Sequence, residues 1–194
     1  MNENNIKVTE NLKELFDDAC SMVLTTKKDN QPTKIASRRL RFLWRKVNGE
    51  YTEKQKEVRH WFEECIDNNK KLKFKVLIYN NLMDKIQNVE KMDGESKEVT
   101  HGLYQIVVQL LKLGSEVRCF ADRGEKFRMV LHNKTIHLAV SEDVSRPVVR
   151  GMNYEGKDLE DGLVKYFNTK FDQSFQNATP LELDKKDGDR IKLK

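Results

Sequence analysis

Cysteine and long apolar runs are scarce in this 194-residue chain, and each scarcity excludes a class of protein. Cys20, Cys65 and Cys119 are odd in number, and each lies inside an apolar periodic segment. They read as buried thiols of a reducing compartment, not as a disulfide framework. With no C-x-x-C pair and no Cys/His cluster, neither a structural metal nor a cofactor is expected. No apolar stretch approaches the ~20 residues that a membrane span needs. The opening residues, MNENNIKVTEN, are polar and acidic, unlike a signal peptide. A cytoplasmic location with no membrane partner is the expectation.

What the chain has in quantity is charge. Its 36 basic and 31 acidic residues are closely interspersed and leave a net +5. That mixture describes a solvated surface better than a nucleic-acid stripe, so nucleic acid is an open but not favoured partner. The length suits one domain with a core that needs no staples. Residues 1–8 are expected to be disordered, 9–182 to form the domain, and 183–194 to be a charged flexible tail.

Helical periodicity marks four segments. Thr9–Ala19 carries Leu12, Leu15, Phe16 and Ala19 on one stripe, with Thr9 as its cap. Thr52-x-x-Gln55 is a capping box, followed by Val58, Trp61, Phe62, Cys65 and Ile66 at helical spacing. Glu98–Leu113 has a wide apolar face, and Gly114 is placed to end it in the left-handed conformation. Asp158–Ala178, capped by Asp158, carries an aromatic stripe read as core packing, and Pro180 stops it. A weaker helix covers Leu82–Val89. Extended segments are expected at Met22–Thr26, Lys73–Tyr79, Glu116–Ala121, Phe127–Leu131, Thr135–Ala139 and Arg146–Asn153, and a loop at Lys27–Thr33. The continuous apolar run KFKVLIY suggests a central strand buried on both faces. Helices alternating with strands predict an α/β fold: a mixed, partly parallel sheet flanked by helices.

Two stretches carry chemistry. In Ile35–Val47 the basic residues Arg38, Arg39, Arg41, Arg45 and Lys46 interleave with Leu40, Phe42, Leu43, Trp44 and Val47. Arginine and aromatic side chains together can stack on bases or grip phosphate. The same pattern suits an amphipathic segment whose basic stems flank a core face. The second stretch is FRMVLHNKTIHLAVSE, residues 127–142, read as two strands meeting at His132–Asn133. A histidine can act as nucleophile toward a phosphodiester, and a lysine two residues along a strand would point to the same face. Arg118, Lys126 and Arg128 would add positive field, and Glu142 and Asp143 are the nearest acids that follow.

Three segments carry a family resemblance: Gly114–Arg118, Phe127–Lys134, and the last helix from Tyr166-Phe167-Asn168 to Ala178-Thr179-Pro180. Together they resemble the second half of a phospholipase D-like domain. They are similar also to the effector-binding C-terminal domain of TrmB-type archaeal regulators, and Met22–Thr26 fits the family's first strand. His132 and Lys134 match the first two positions of the family's H-x-K-x4-D motif, Ala139 stands at the acid, and Gly151-Met152-Asn153 stands near the Gly-Ser-x-Asn segment. The family's catalytic site needs two such motifs, and this chain carries one partial copy.

The resemblance therefore implies a catalytically inactive sensor or regulatory module. It would bind a small anionic or sugar ligand, or a protein partner, near Arg118, Arg128, His132, Lys134 and Asn153. A dimeric phosphodiesterase or nuclease using His132 and Lys134 is one alternative, and a homodimer is left open. A nucleic-acid-binding module using Arg38, Arg39, Arg41, Arg45 and Lys46 is the other. TrmB-type regulators carry a winged-helix domain ahead of the sensor, for which residues 1–8 leave no room. The chain would then be a free-standing sensor or a piece of a longer regulator.

Overall fold

The computed structural model describes residues 6–29, 31–79, 82–88, 91–120, 127–140, 150–186 and 190–193. In chain order the elements are β1 (Ile6–Thr9), α1 (Leu12–Asp29), β2 (Thr33–Ser37), α2 (Arg41–Trp44) and α3 (Glu53–Asp67). Then come β3 (Phe74–Tyr79), α4 (Leu82–Gln87), α5 (Gly94–Lys112), β4 (Glu116–Phe120), β5 (Phe127–His132) and β6 (Thr135–Val140). The chain finishes with β7 (Arg150–Glu155), α6 (Gly162–Gln176), β8 (Thr179–Leu183) and β9 (Ile191–Leu193). The strands form one sheet in the order β1-β7-β6-β5-β2-β3-β4-β8-β9. β2, β3 and β4 run parallel, joined by crossovers through α3 and α5, and the other pairings are antiparallel. The protein is thus a mixed α/β fold with a partly parallel sheet flanked by helices.

Side-chain alternation sorts the core into two layers. Ile35, Phe74, Val76, Ile78, Val117 and Val130 face α1, α2, α3 and α5 in the larger layer. Ala36, Leu77, Tyr79, Met129 and Leu131 face α6 in the smaller one. β3 is therefore buried on both faces, as its apolar run requires. The Thr52–Gln55 capping box forms, with Gln55 N donating to Thr52 Oγ1 and Thr52 N to Gln55 Oε1. Gly114 takes φ +77° after α5, where its N–H donates to Leu111 O.

Several expectations are corrected. Met22–Thr26 is helix, because the apolar stripe of α1 continues through Cys20, Val23 and Leu24 and outweighs the β preference of the VLTT run. Thr25 Oγ1 donates to Met22 O, a bond typical of threonine inside a helix. The proposed first strand of the family is thus not a strand. The helix starts at Leu12, with Asn11 Oδ1 accepting from Lys13 N and Glu14 N in place of a Thr9 cap. Residues 6–8, placed in the disordered end, pair with β7 together with Thr9 as an edge strand. Lys27–Thr33 is not a loop throughout: α1 extends to Asp29 and β2 begins at Thr33. Asp161, not Asp158, caps α6. Residues in the expected flexible tail form β9 against β8. Lys126, Glu142 and Asp143 lie outside the described residues, as does part of the Arg146–Asn153 segment.

Candidate functional site

The five residues expected to share a cleft do not converge. β5 ends at His132, which pairs with Thr135, so the turn is Asn133–Lys134, with Asn133 at φ +50°. His132 is buried and faces the start of β2. Asn133 Nδ2 donates to its Nε2 (3.2 Å), which leaves Nδ1–H to donate to Thr33 Oγ1 (2.8 Å). Both ring nitrogens are thus engaged. Lys134 sits on the turn and pairs with Glu155 at 2.9 Å. Arg118 lies on the α6 face: its guanidinium stacks on Phe175 at 4.6 Å and donates to Phe175 O at 3.1 Å. There it meets the negative end of the α6 dipole, a C-terminal capping role.

Arg128 and Asn153 are linked through a residue that sequence reasoning passed over, His137. Arg128 is buried between the rings of Phe16 (5.4 Å) and Phe42 (5.1 Å). It donates to Leu15 O and to His137 Nε2, each at 3.0 Å. His137 Nδ1–H then donates to Asn153 Oδ1 (2.7 Å), and Asn153 Nδ2 donates to Asp18 Oδ2 (2.7 Å). A chain of hydrogen bonds thus connects a buried cation to a carboxylate near the surface. Burial, with Arg128 adding to it, pushes His137 down to about 3, so the ring stays neutral and accepts from the guanidinium. Burial also lowers Arg128, to about 10. This is a closed structural relay, not an open site.

The basic segment is different. Ser37 ends β2, and its Oγ accepts from Leu40 N across a bend in which Leu40 takes φ +48°. That bend turns the chain into α2. Phe42 and Leu43 point inward. Gln55 Nε2 donates to Phe42 O (3.0 Å) and Arg45 O (2.9 Å), so the capping-box glutamine also clamps both ends of α2. Trp44 Nε1 donates to Arg39 O at 2.7 Å, and its ring lies flat against α5 at Gly102. The close approach requires glycine, since a Cβ there would sit 2.5 Å from Trp44 Cε3.

Held this way, α2 separates two grooves. The first, about 360 Å³, is lined by Arg39, Arg41 and Lys85 with Glu95, Ser96 and Thr100. It lies just beyond the carboxyl ends of β2 and β3, where open α/β sheets bind ligands. The second, about 590 Å³, holds Arg45, Lys46 and Arg59 with Glu98, His101 and Tyr51. Arg59 and Lys46 both lie over the Tyr51 ring, at 4.5 and 5.5 Å. Among the described residues, the lining of each groove holds three cations and one carboxylate, so the basic side chains of this segment gather on one face. Partial burial and the fields of Arg39 and Arg45 bring Arg41 down to about 10, with Glu95 opposing. The Nε of Arg41 is buried with no hydrogen-bond partner among the described residues.

No protein-family model matches the chain, and no curated protein matches it in sequence. Among solved structures, it is similar to TrmBL2, an archaeal chromatin protein described as having a novel mode of DNA binding. The TM-score is 0.50 at 15% identity, covering 92% of this chain and 54% of the TrmBL2 chain. The likeness is one of fold, and this chain spans about half the length of that protein. Among the described residues no helix is long and apolar enough to cross a membrane.

Proposed function

We propose that this chain is a non-catalytic regulatory module, phospholipase D-like in fold, that binds an anionic ligand in the groove of Arg39, Arg41 and Lys85. One observation carries the reading. Three cations converge beyond the carboxyl ends of parallel strands, and one of them, Arg41, is held half-buried beside other arginines. An arrangement that raises the cost of like charge is relieved when an anion enters. The likeness to TrmBL2 supports a mixed α/β, TrmB-like fold and no more. What supports the absence of phosphodiester chemistry is the position of His132, buried with both nitrogens engaged and Lys134 tied to Glu155. The test is a thermal shift with inorganic pyrophosphate. The wild type is expected to be stabilised and Arg41→Gln to lose the shift. An equal shift in both proteins would move the ligand elsewhere, and phosphodiester hydrolysis lost in His132→Ala would overturn the non-catalytic reading.

A second reading is favoured by the repetition of charge across α2. If both grooves follow one phosphate backbone, the ligand is a nucleic acid, the partner ascribed to TrmBL2. Up to six cations are then engaged, and log affinity for duplex should fall against log salt with a slope approaching about −5. Neutralising Arg45 and Arg59 should shrink that slope. A salt-independent affinity, or one unchanged by those substitutions, removes this reading and leaves the small anion.

A further inference from the structure

We propose a second ligand site on the opposite face of the sheet, for a small amphipathic carboxylate with an aliphatic or aromatic body. The reason lies in coverage. Among the described residues, α1, α3 and α5 pack on one face, whereas α6 is the one helix packed on the other. A helix is about 10–12 Å across and strands are about 4.8 Å apart, so one helix shields only two or three strands. α6 sits over β2, β3 and β4, where Lys34 bonds Asn168 and Asp172 and where Lys75 and Arg118 lie over Phe175. Its flank toward β5 and β6 leaves a groove of about 440 Å³. That is within the roughly 300–1,000 Å³ range of small-molecule sites.

The walls are apolar and come from both the sheet and α6. Phe120, Phe127, Met129 and Leu138 contribute from the strands, and Phe167 and Phe171 from the helix. Tyr79 braces the strand side, 5.4 Å from Phe127 and 6.4 Å from Phe120. The apolar lining continues onto the surface at Val140 and Tyr166, which are 49% and 54% exposed. Polarity enters at one rim, from Lys170 and Ser174, one helical turn apart on α6.

Lys170 identifies the headgroup. Other lysines at α6 have carboxylates: Lys165 pairs with Glu160 at 2.6 Å and Lys34 with Asp172 at 2.8 Å. Among the described residues no carboxylate pairs with Lys170, whose ammonium lies over the Tyr166 ring at 5.8 Å. An unneutralised cation and a hydroxyl at the mouth of an aromatic groove complement a ligand with an apolar body and one anionic end. The inorganic anion of the first site would not fill this groove, so the two sites are separable.

The test is calorimetric titration of the full chain with decanoate and, separately, with methyl decanoate. Decanoate is expected to bind saturably, one per chain. Lys170→Gln should weaken decanoate about tenfold while leaving the methyl ester unchanged, the signature of one charge contact. Val140→Glu, at an exposed strand end, should weaken both. Light scattering accompanies each titration. Absence of saturable binding, or binding that both variants leave unchanged, overturns the proposal. So does a dimer that Val140→Glu converts to monomer, because a second copy of the chain would then be the occupant. Arg41→Gln should not alter decanoate binding, which separates failure here from failure at the first groove.

Discussion

Acidification from pH 7 to pH 5 is expected to cost this protein about 2 kcal/mol through His137 alone. In the unfolded chain a histidine titrates near 6.5. In the fold, burial and the neighbouring Arg128 hold His137 at about 3. The folded value is the lower one, so the neutral ring's contribution is fully present above the unfolded pKa and is lost as pH falls toward the folded one. At pH 5 the unfolded histidine is almost wholly protonated and the folded one almost wholly neutral. The difference of about 1.5 pH units at ~1.4 kcal/mol each gives the figure quoted. Other groups titrate over the same range, so the informative comparison is with His137→Gln. Glutamine keeps an oxygen to accept from Arg128 and an amide to donate to Asn153, without a titrating ring. Urea denaturation of both proteins at both pH values measures the effect. The wild type should lose about 2 kcal/mol more than the variant. A difference below about 0.5 kcal/mol would refute a buried, neutral His137 and with it the direction of the hydrogen-bond relay from Arg128.

Three further outcomes follow from the packing. Gly102→Ala should destabilise by about 1–3 kcal/mol and change tryptophan emission, because the new Cβ displaces the Trp44 ring; the gain of up to ~1 kcal/mol in helix propensity does not compensate. Gln55→Leu should cost about 2–4 kcal/mol in thermal or urea unfolding, since it leaves Arg45 O and Thr52 N without the glutamine and Phe42 O with only the weak Cys20 thiol donor, and α2 amides should exchange faster with deuterium. Phe171→Ala, fully buried and stacked 5.5 Å from Phe175, should cost about 3–5 kcal/mol by the same assays.

How much of this was legible in the sequence varies with the range of the interaction. The α3 capping box, the Gly114 helix end and the doubly buried β3 are local patterns, and each was read from neighbouring residues. The length of α1 was misjudged because β-branched residues at Met22–Thr26 argue for strand locally while the helical stripe continues beneath them. β1 and β9 are three or four residues long, too short to show a period, and exist only because a sheet edge receives them. The His132–Lys134 pair failed for a stated reason: two residues share a face only if no turn falls between them, and Asn133 turns the chain. His137 was missed because its partners Arg128 and Asn153 come from two other strands, and the next link, Asn153 to Asp18, spans 135 positions. The basic segment was legible as composition. Its division into two grooves depends on Gln55 and Gly102, which nothing in the segment itself announces.

The strand order also decides how this fold would respond to being pulled. β1 and β9 form opposite edges of the nine-strand sheet, eight spacings or about 38 Å apart. Tension applied through these two strands acts along the interstrand hydrogen bonds, not along the strands. The ladders then bear load one after another and part like a zipper, starting from two edge strands of only three or four residues. A sheet whose outermost strands lay side by side and were drawn in opposite directions would instead load a whole ladder at once. This protein is built to yield at low force from its margins, while the central strands β5, β2 and β3, the last two of which carry the basic groove, are reached last.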